Sequence, residues 1–186
     1  MSLVPARAFV LVVLIALLFT SAASAQVLGS RPLGKGDRGW DVVTLQRVLA
    51  MNGYRPGPAD GIFGGMTKRA VKRFQRRRGL AVDGRVGPLT THALAMGWRV
   101  RTASYYGPGL WGNRTACGAV LRRAIRGVAH RSLPCGTRVA VYANGRIAIF
   151  PVIDRGPYTS GVALDLTKAA AQRLALTTTQ SVRFGW

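Results

Sequence analysis

The sequence contains no glutamate: its six acidic residues are all aspartates, set against 27 lysines and arginines. Acid–base chemistry in this chain therefore rests on very few carboxylates. There are only two histidines, His92 and His130, and two cysteines, Cys117 and Cys135, and their spacing matches no zinc-ligand pattern. Neither a metal nor a cofactor is expected. The chain also lacks an apolar run of the roughly 20 residues that a membrane helix needs. Its longest run, residues 8–19, follows Arg7 and gives way to the small residues Ala23-Ser24-Ala25. That order reads as a secretory signal peptide over residues 1–25, cleaved after Ala25. No cysteine stands at the junction to carry a lipid, so the expectation is a secreted or envelope-held protein with no membrane anchor after cleavage.

What is present in excess is positive charge, +21 over the chain. A field of this sign favours polyanions, and an exported chain meets the anionic polymers of a cell wall before it meets nucleic acid. The preponderance of arginine over lysine also fits a compositional bias spread over solvated faces, so charge alone selects no ligand. In an oxidising compartment an isolated pair of cysteines in one small domain reads as a disulfide, Cys117 to Cys135, which stabilises by about 3 kcal/mol in the chain-entropy picture. About 160 residues are left after cleavage, enough for two small domains.

A short repeat organises the first half. Asp60-Gly61-Ile62-Phe63-Gly64, with Thr67 and Ala70, recurs 23 residues later as Asp83-Gly84-Arg85-Val86-Gly87, with Thr90 and Ala93. Each copy has the chemistry of a tight turn followed by a helix start, with the threonine placed to cap. The spacing predicts a helix over 67–78 with Ala70, Val71 and Phe74 on one face, ended by Gly79. Upstream, Asp37 is placed to cap a helix through Trp40, Val43, Leu45, Val48 and Leu49 to Asn52-Gly53. Trp40, Leu45 and Phe74 are expected in the core, Asp60 and Asp83 as turn-formers, and Arg76-Arg77-Arg78 as a solvated helix end. With Leu45-Gln46, Gly53-Tyr54, Phe74-Gln75 and Gly79-Leu80 added, residues 33–96 resemble the peptidoglycan-binding type 1 domain. The resemblance implies a three-helix module that docks on wall glycan or stem peptide and performs no catalysis of its own.

From residue 102 the texture changes to short β-like segments broken by glycine and proline. Residues 138–142 and 146–150 read as two strands around an Asn144-Gly145 hairpin, with Pro151 marking a bulge or an edge. A polar turn, Asp154-Arg155-Gly156-Pro157, follows; Asp165 or Thr167 is placed to cap a short helix over 168–174; and residues 180–186 close the chain as a strand. The motifs at 103–109, Thr115-Ala116-Cys117-Gly118, 128–137, 154–157 and Asp165-Leu166 resemble the rare lipoprotein A family, over a domain of residues 102–186. The resemblance implies a six-stranded double-psi β-barrel, so the whole chain is expected to be α+β, with a three-helix domain before the barrel. Catalytic members of the family are lytic transglycosylases, which cleave glycan between N-acetylmuramic acid and N-acetylglucosamine without water and leave a 1,6-anhydro product.

By the same resemblance Asp154 falls on the family's catalytic aspartate. Active members carry a glutamate directly after the Thr-Ala-x-Gly motif, where this chain has Ala119. Asp165 reads as a helix cap, and Tyr106, His130, Arg155 and Tyr158 are the candidate substrate contacts. Two functions stay open at this point. One is a wall-binding lytic transglycosylase; the other is a non-catalytic peptidoglycan-binding or wall-loosening protein with a degenerate barrel site. In both, the expected partners are peptidoglycan glycan strands and anionic wall polymers, and not nucleic acid.

Overall fold

The computed structural model describes residues 27–186, so the signal-peptide reading of residues 1–25 lies outside the described residues. Among the described residues three helices precede the first strand: α1 (Trp40–Met51), α2 (Gly65–Arg77) and α3 (Pro88–Leu94). Val42, Leu45, Val48 and Leu49 form the buried stripe of α1, and Ala70, Val71 and Phe74 that of α2. Trp40 departs from the core expected for it. It lies two residues before Val42, about 200° round the helix, and is 67% exposed.

The Asp-Gly loops are held in a way that helix capping does not anticipate. Gln46, buried in α1, donates to Asp60 Oδ1 (2.8 Å), to the Ile62 carbonyl and to Thr67 Oγ1, and its own oxygen accepts the Gly61 N–H. Gln75 of α2 repeats the set with Asp83 (2.7 Å), Arg85, Thr90 and Gly84. One buried amide thus satisfies a whole loop. The threonines are occupied there, and α2 and α3 begin after Gly64 and Gly87 with no side-chain cap. Asp60 and Asp83 do form turns, each accepting the N–H two residues on, and these bonds hold both carboxyls below the usual range. Asp37, expected to cap α1, instead accepts the Gly34 N–H and pairs with Arg31 at 2.6 Å.

The C-terminal half is a closed barrel of six strands. In chain order they are β1 (Arg99–Tyr106), β2 (Val128–Ala129), β3 (Arg138–Ala143), β4 (Arg146–Asp154), β5 (Val162–Thr167) and β6 (Gln180–Gly185). Around the barrel the order is β1-β5-β2-β4-β3-β6, with β1/β5 and β2/β4 parallel. A fourth helix, α4 (Lys168–Arg173), follows β5. Asn144 and Gly145 both take positive φ, 49° and 74°, as the tight hairpin between β3 and β4 requires. Alternate residues of β4 serve two cores. Ala148, Phe150 and Val152 fill the barrel, while Ile147 and Ile149 face outward and pack with the helices.

That outward face joins the two halves. Residues 27–29 run across the seam: Val27 packs in the barrel core, Leu28 in the helical core, and the Ile147 N–H donates to the Leu28 carbonyl at 2.8 Å. Gly29 has φ +97° and lies against the Gly145 carbonyl, where a Cβ has no room. His92 of α3 and Tyr142 of β3 close the seam with a 3.0 Å hydrogen bond.

Candidate active site

A single bulge creates the site. Across the parallel pair β2/β4, Val128 stands opposite Val152 but Ala129 opposite Asp154, so Ile153 is the extra residue. Without it Asp154 would point into the barrel like Val152; with it the side chain turns to the outer face. Pro151, read as a bulge or an edge, pairs with Arg138 at the start of β3, and the bulge falls two residues later. Gly127 makes the bulge possible, because a Cβ there would lie 2.5 Å from Ile153 Cγ1.

Ala129 is also paired with Asp165 of β5, and Asp165 with Ser104 of β1. Residues directly opposite share a face, so Asp154, Ala129, Asp165 and Ser104 form one row, with Tyr106 two residues along on the same side. Two strand spacings separate the aspartates, about 10 Å between their backbones, and only the methyl of Ala129 intervenes. Thr167, not Asp165, caps α4, its side chain accepting the Ala170 N–H. The cap role expected for Asp165 is thereby corrected: β5 places its carboxyl on the outer face, in the row that also holds Asp154.

The two carboxyls sit in different surroundings. Asp154 Oδ1 accepts the N–H groups of Ala116 and Arg155, both at 2.8 Å, which leaves Oδ2 as the oxygen able to meet a ligand. Among the described residues Asp165 accepts a hydrogen bond from the Ser104 hydroxyl alone, at 2.9 Å. Burial, reinforced by the charge of Asp154, raises its pKa above the ordinary carboxylate value, and the serine bond opposes this. Tyr106 places its hydroxyl beside them, buried and without a hydrogen-bond partner of good geometry. Burial first, then the charges of Asp154 and Asp165, push its pKa far up, so it remains a neutral donor.

The walls are loops moored by specific contacts. Cys117 and Cys135 form a disulfide with Cα atoms 5.7 Å apart, tying the loop that carries the Ala116 N–H to the loop before β3. Arg155 donates to the Leu133 and His130 carbonyls of that second loop. Arg131 reaches the other way, donating to the Pro157 carbonyl at 2.6 Å and to that of Thr159.

Comparison with known proteins bears directly on this barrel. Residues 38–94 match a putative peptidoglycan binding domain, and residues 99–185 match the model of the lytic transglycolases. The barrel is similar to the lytic transglycolase family. Among curated relatives, the probable endolytic peptidoglycan transglycosylase RlpA of Synechocystis is 43% identical over 76 residues, 40% of this chain and 24% of that protein. The endolytic peptidoglycan transglycosylase RlpA of Yersinia pestis is 39% identical over 87 residues, 46% and 24% respectively. The spore cortex-lytic enzyme of Bacillus subtilis is 41% identical over 77 residues, 41% and 25%. The chain spans about a quarter of the length of these three relatives.

Within this barrel the predicted residues separate into groups. Asp154 and Tyr106 lie together, and the disulfide is formed as expected. Tyr158 stands at the rim, 82% exposed, on the loop that leaves Asp154. Arg155 and His130 have other engagements. The Arg155 guanidinium is bonded to loop carbonyls, and His130 Nδ1 accepts the N–H groups of Ser132 and Leu133. The His130 ring faces Phe184 and Trp186, and burial, then the charges of Arg155, Arg99 and Arg131, lower its pKa. Asp165, Ser104 and Arg131 were not among the predicted contacts. Only strand pairing brings the first two to the site. Ala119 sits in a tight turn whose carbonyl accepts the Thr115 N–H, three residues beyond Ala116.

Proposed function

We propose that this protein acts at the cell wall, periplasmic or wall-bound, where its helical domain (residues 33–96) binds peptidoglycan and its double-psi barrel (residues 102–186) cleaves the glycan as a lytic transglycosylase. The supporting observation is the pairing of Asp154 and Asp165 on one face of the barrel with a buried tyrosine hydroxyl beside them. Two carboxyls in unlike environments divide acid from base.

Asp165, with its raised pKa, is the general acid. It gives its proton to the glycosidic oxygen as the bond from muramic acid C1 breaks. The C6 hydroxyl of the same sugar then bonds to C1 and passes its proton to Asp154 Oδ2. The products are a 1,6-anhydro ring and a free hydroxyl on the departing sugar; no water is consumed, and proton exchange with solvent resets the pair. Tyr106 donates to oxygen that becomes negative, and Tyr158 offers a ring face to a sugar at the rim.

Mass spectrometry of fragments released from purified wall tests the proposal. Wild type should release 1,6-anhydro-muropeptides, and Asp154→Asn or Asp165→Asn should each cut the rate by about 10²- to 10⁴-fold while wall binding persists. One observation favours the non-catalytic reading, namely Ala119 at the family's glutamate position. If wild type and Ala119→Glu both release nothing between about pH 4 and 8, the span in which a positioned acid and base operate, the barrel is a binding module.

A further inference from the structure

Where the helical half meets the barrel, α1 does not cover the whole outer face of β4, and a cleft of about 270 Å³ opens between them. Its floor is aliphatic, from Val43 of α1 and Ile149 of β4, and the exposed indole of Trp40 stands at its edge. Four arginines line it: Arg47 on α1, Arg126 before β2, Arg138 at the start of β3 and Arg173 at the end of α4. Burial, and then the charge of Arg126, lower the pKa of Arg173, so these two cations crowd each other. All six aspartates lie among the described residues, and none lines the cleft. The positive charge of Arg47, Arg126 and Arg138 in a concave, partly apolar site favours an anion, and guanidinium forks match carboxylates in particular.

We infer that this cleft is a second peptidoglycan subsite, which seats a sugar ring on Trp40 and takes the carboxylates of the stem peptide on Arg47, Arg126 and Arg138. The inference rests on the wall-acting function proposed above, and it is carried by the course of β4. Ile149 and Pro151 face outward, and after the bulge Asp154 does too, so cleft and active site share one face of one strand. Ile149 and Asp154 are roughly 17 Å apart along it. Arg138, paired with Pro151, stands between them. A glycan held by its peptide in the cleft is thereby led along β4 to the aspartate pair.

The test uses the whole mature chain and sedimentation with three materials: intact peptidoglycan stripped of phosphate polymers, the same material after an amidase has removed its peptides, and unstripped wall. The triple variant Arg47→Gln/Arg126→Gln/Arg138→Gln should bind stripped intact peptidoglycan about tenfold more weakly, as loss of charge-assisted contacts requires. Arg73→Gln/Arg76→Gln/Arg77→Gln, an equal loss of charge on the exposed face of α2, should shift it less than about twofold, as for screened surface charge. On peptide-free glycan the cleft triple should match wild type. Trp40→Ala should weaken binding to stripped intact peptidoglycan. If the cleft triple melts early, Arg47→Gln alone carries the test, with about a threefold loss. Equal losses in the two triples, an equal loss on peptide-free glycan, a loss confined to unstripped wall, or no loss at all would overturn the subsite. Failure of wild type to sediment with any of the three would instead remove the wall-binding function itself.

Discussion

Replacing both cysteines with serine probes the fold and the site together. The disulfide joins residues 18 apart, and closing a loop of that length stabilises by about 3 kcal/mol in the chain-entropy picture. For a domain of this size each kcal/mol moves the melting midpoint by about 4–8 °C, so Cys117→Ser/Cys135→Ser should melt about 12–24 °C below wild type. The effect on chemistry is separate, because Ala116, next to Cys117, donates one of the two N–H groups that fix Asp154 Oδ1. Measured well below both midpoints, glycan cleavage should fall while sedimentation with wall stays near wild type, since the helical domain contains neither cysteine. Other contacts work against a large effect: Arg155 holds the Leu133 carbonyl, and the Thr115 N–H closes onto the Ala119 carbonyl. A midpoint within about 4 °C of wild type, less than about 1 kcal/mol on the same scale, with cleavage intact, would show that these bonds order both loops unaided and would refute the argument.

Three further outcomes are expected. The raised pKa of Asp165 means that the folded protein binds a proton there more tightly than the unfolded chain, so this contribution to stability is complete below the ordinary carboxylate pKa and is lost as pH rises through the raised one. Cleavage should fade over the same upper window, and Asp154→Asn, by removing a negative neighbour, should move the Asp165 carboxyl titration seen by carbon-13 NMR downward; an unmoved titration would uncouple the pair. Gln46→Ala strands the buried Gly61 N–H and should cost about 1–3 kcal/mol in thermal unfolding, and Gln75→Ala should do the same through Gly84. Gly127→Ala should displace Ile153 and with it Asp154, lowering cleavage more than melting temperature; full activity would mean that the bulge tolerates a Cβ.

What the sequence made legible was governed by neighbours along the chain. Asn144-Gly145 announces its hairpin because only residues tolerant of positive φ fit that turn. The cysteine pair follows from its isolation in one domain. The glutamines escaped, for a reason their partners reveal. The Asp-Gly loops repeat at 23 residues, but Gln46 reaches its aspartate across 14 residues and Gln75 across 8, so no shared period flags them. A polar residue on a helix also reads first as surface, and Trp40 as core; each is the reverse of what packing against a second element produced.

Asp165 was misread for a related reason. Both Asp165 and Thr167 satisfy the local chemistry of a cap, and nothing within a helix turn of either decides between them. The decision is made by residues 61 and 36 positions away, since pairing with β1 sets Asp165 opposite Ser104 and pairing through β2 aligns it with Ala129. The same pairing alters the weight of the missing glutamate. Counted along the chain, Asp154 is a lone candidate carboxylate with Ala119 where a partner belongs; counted across the barrel, it shares a face with a second carboxyl of raised pKa. Ala119 lies in the turn that delivers the Ala116 N–H to Asp154, so a carboxylate there would add negative charge on the loop bonded to Asp154. Like charges disfavour one another's ionisation. On the proposed mechanism, a chain with no glutamate keeps an acid and a base at this site as long as the bulge at Ile153 holds Asp154 on the same face as Asp165.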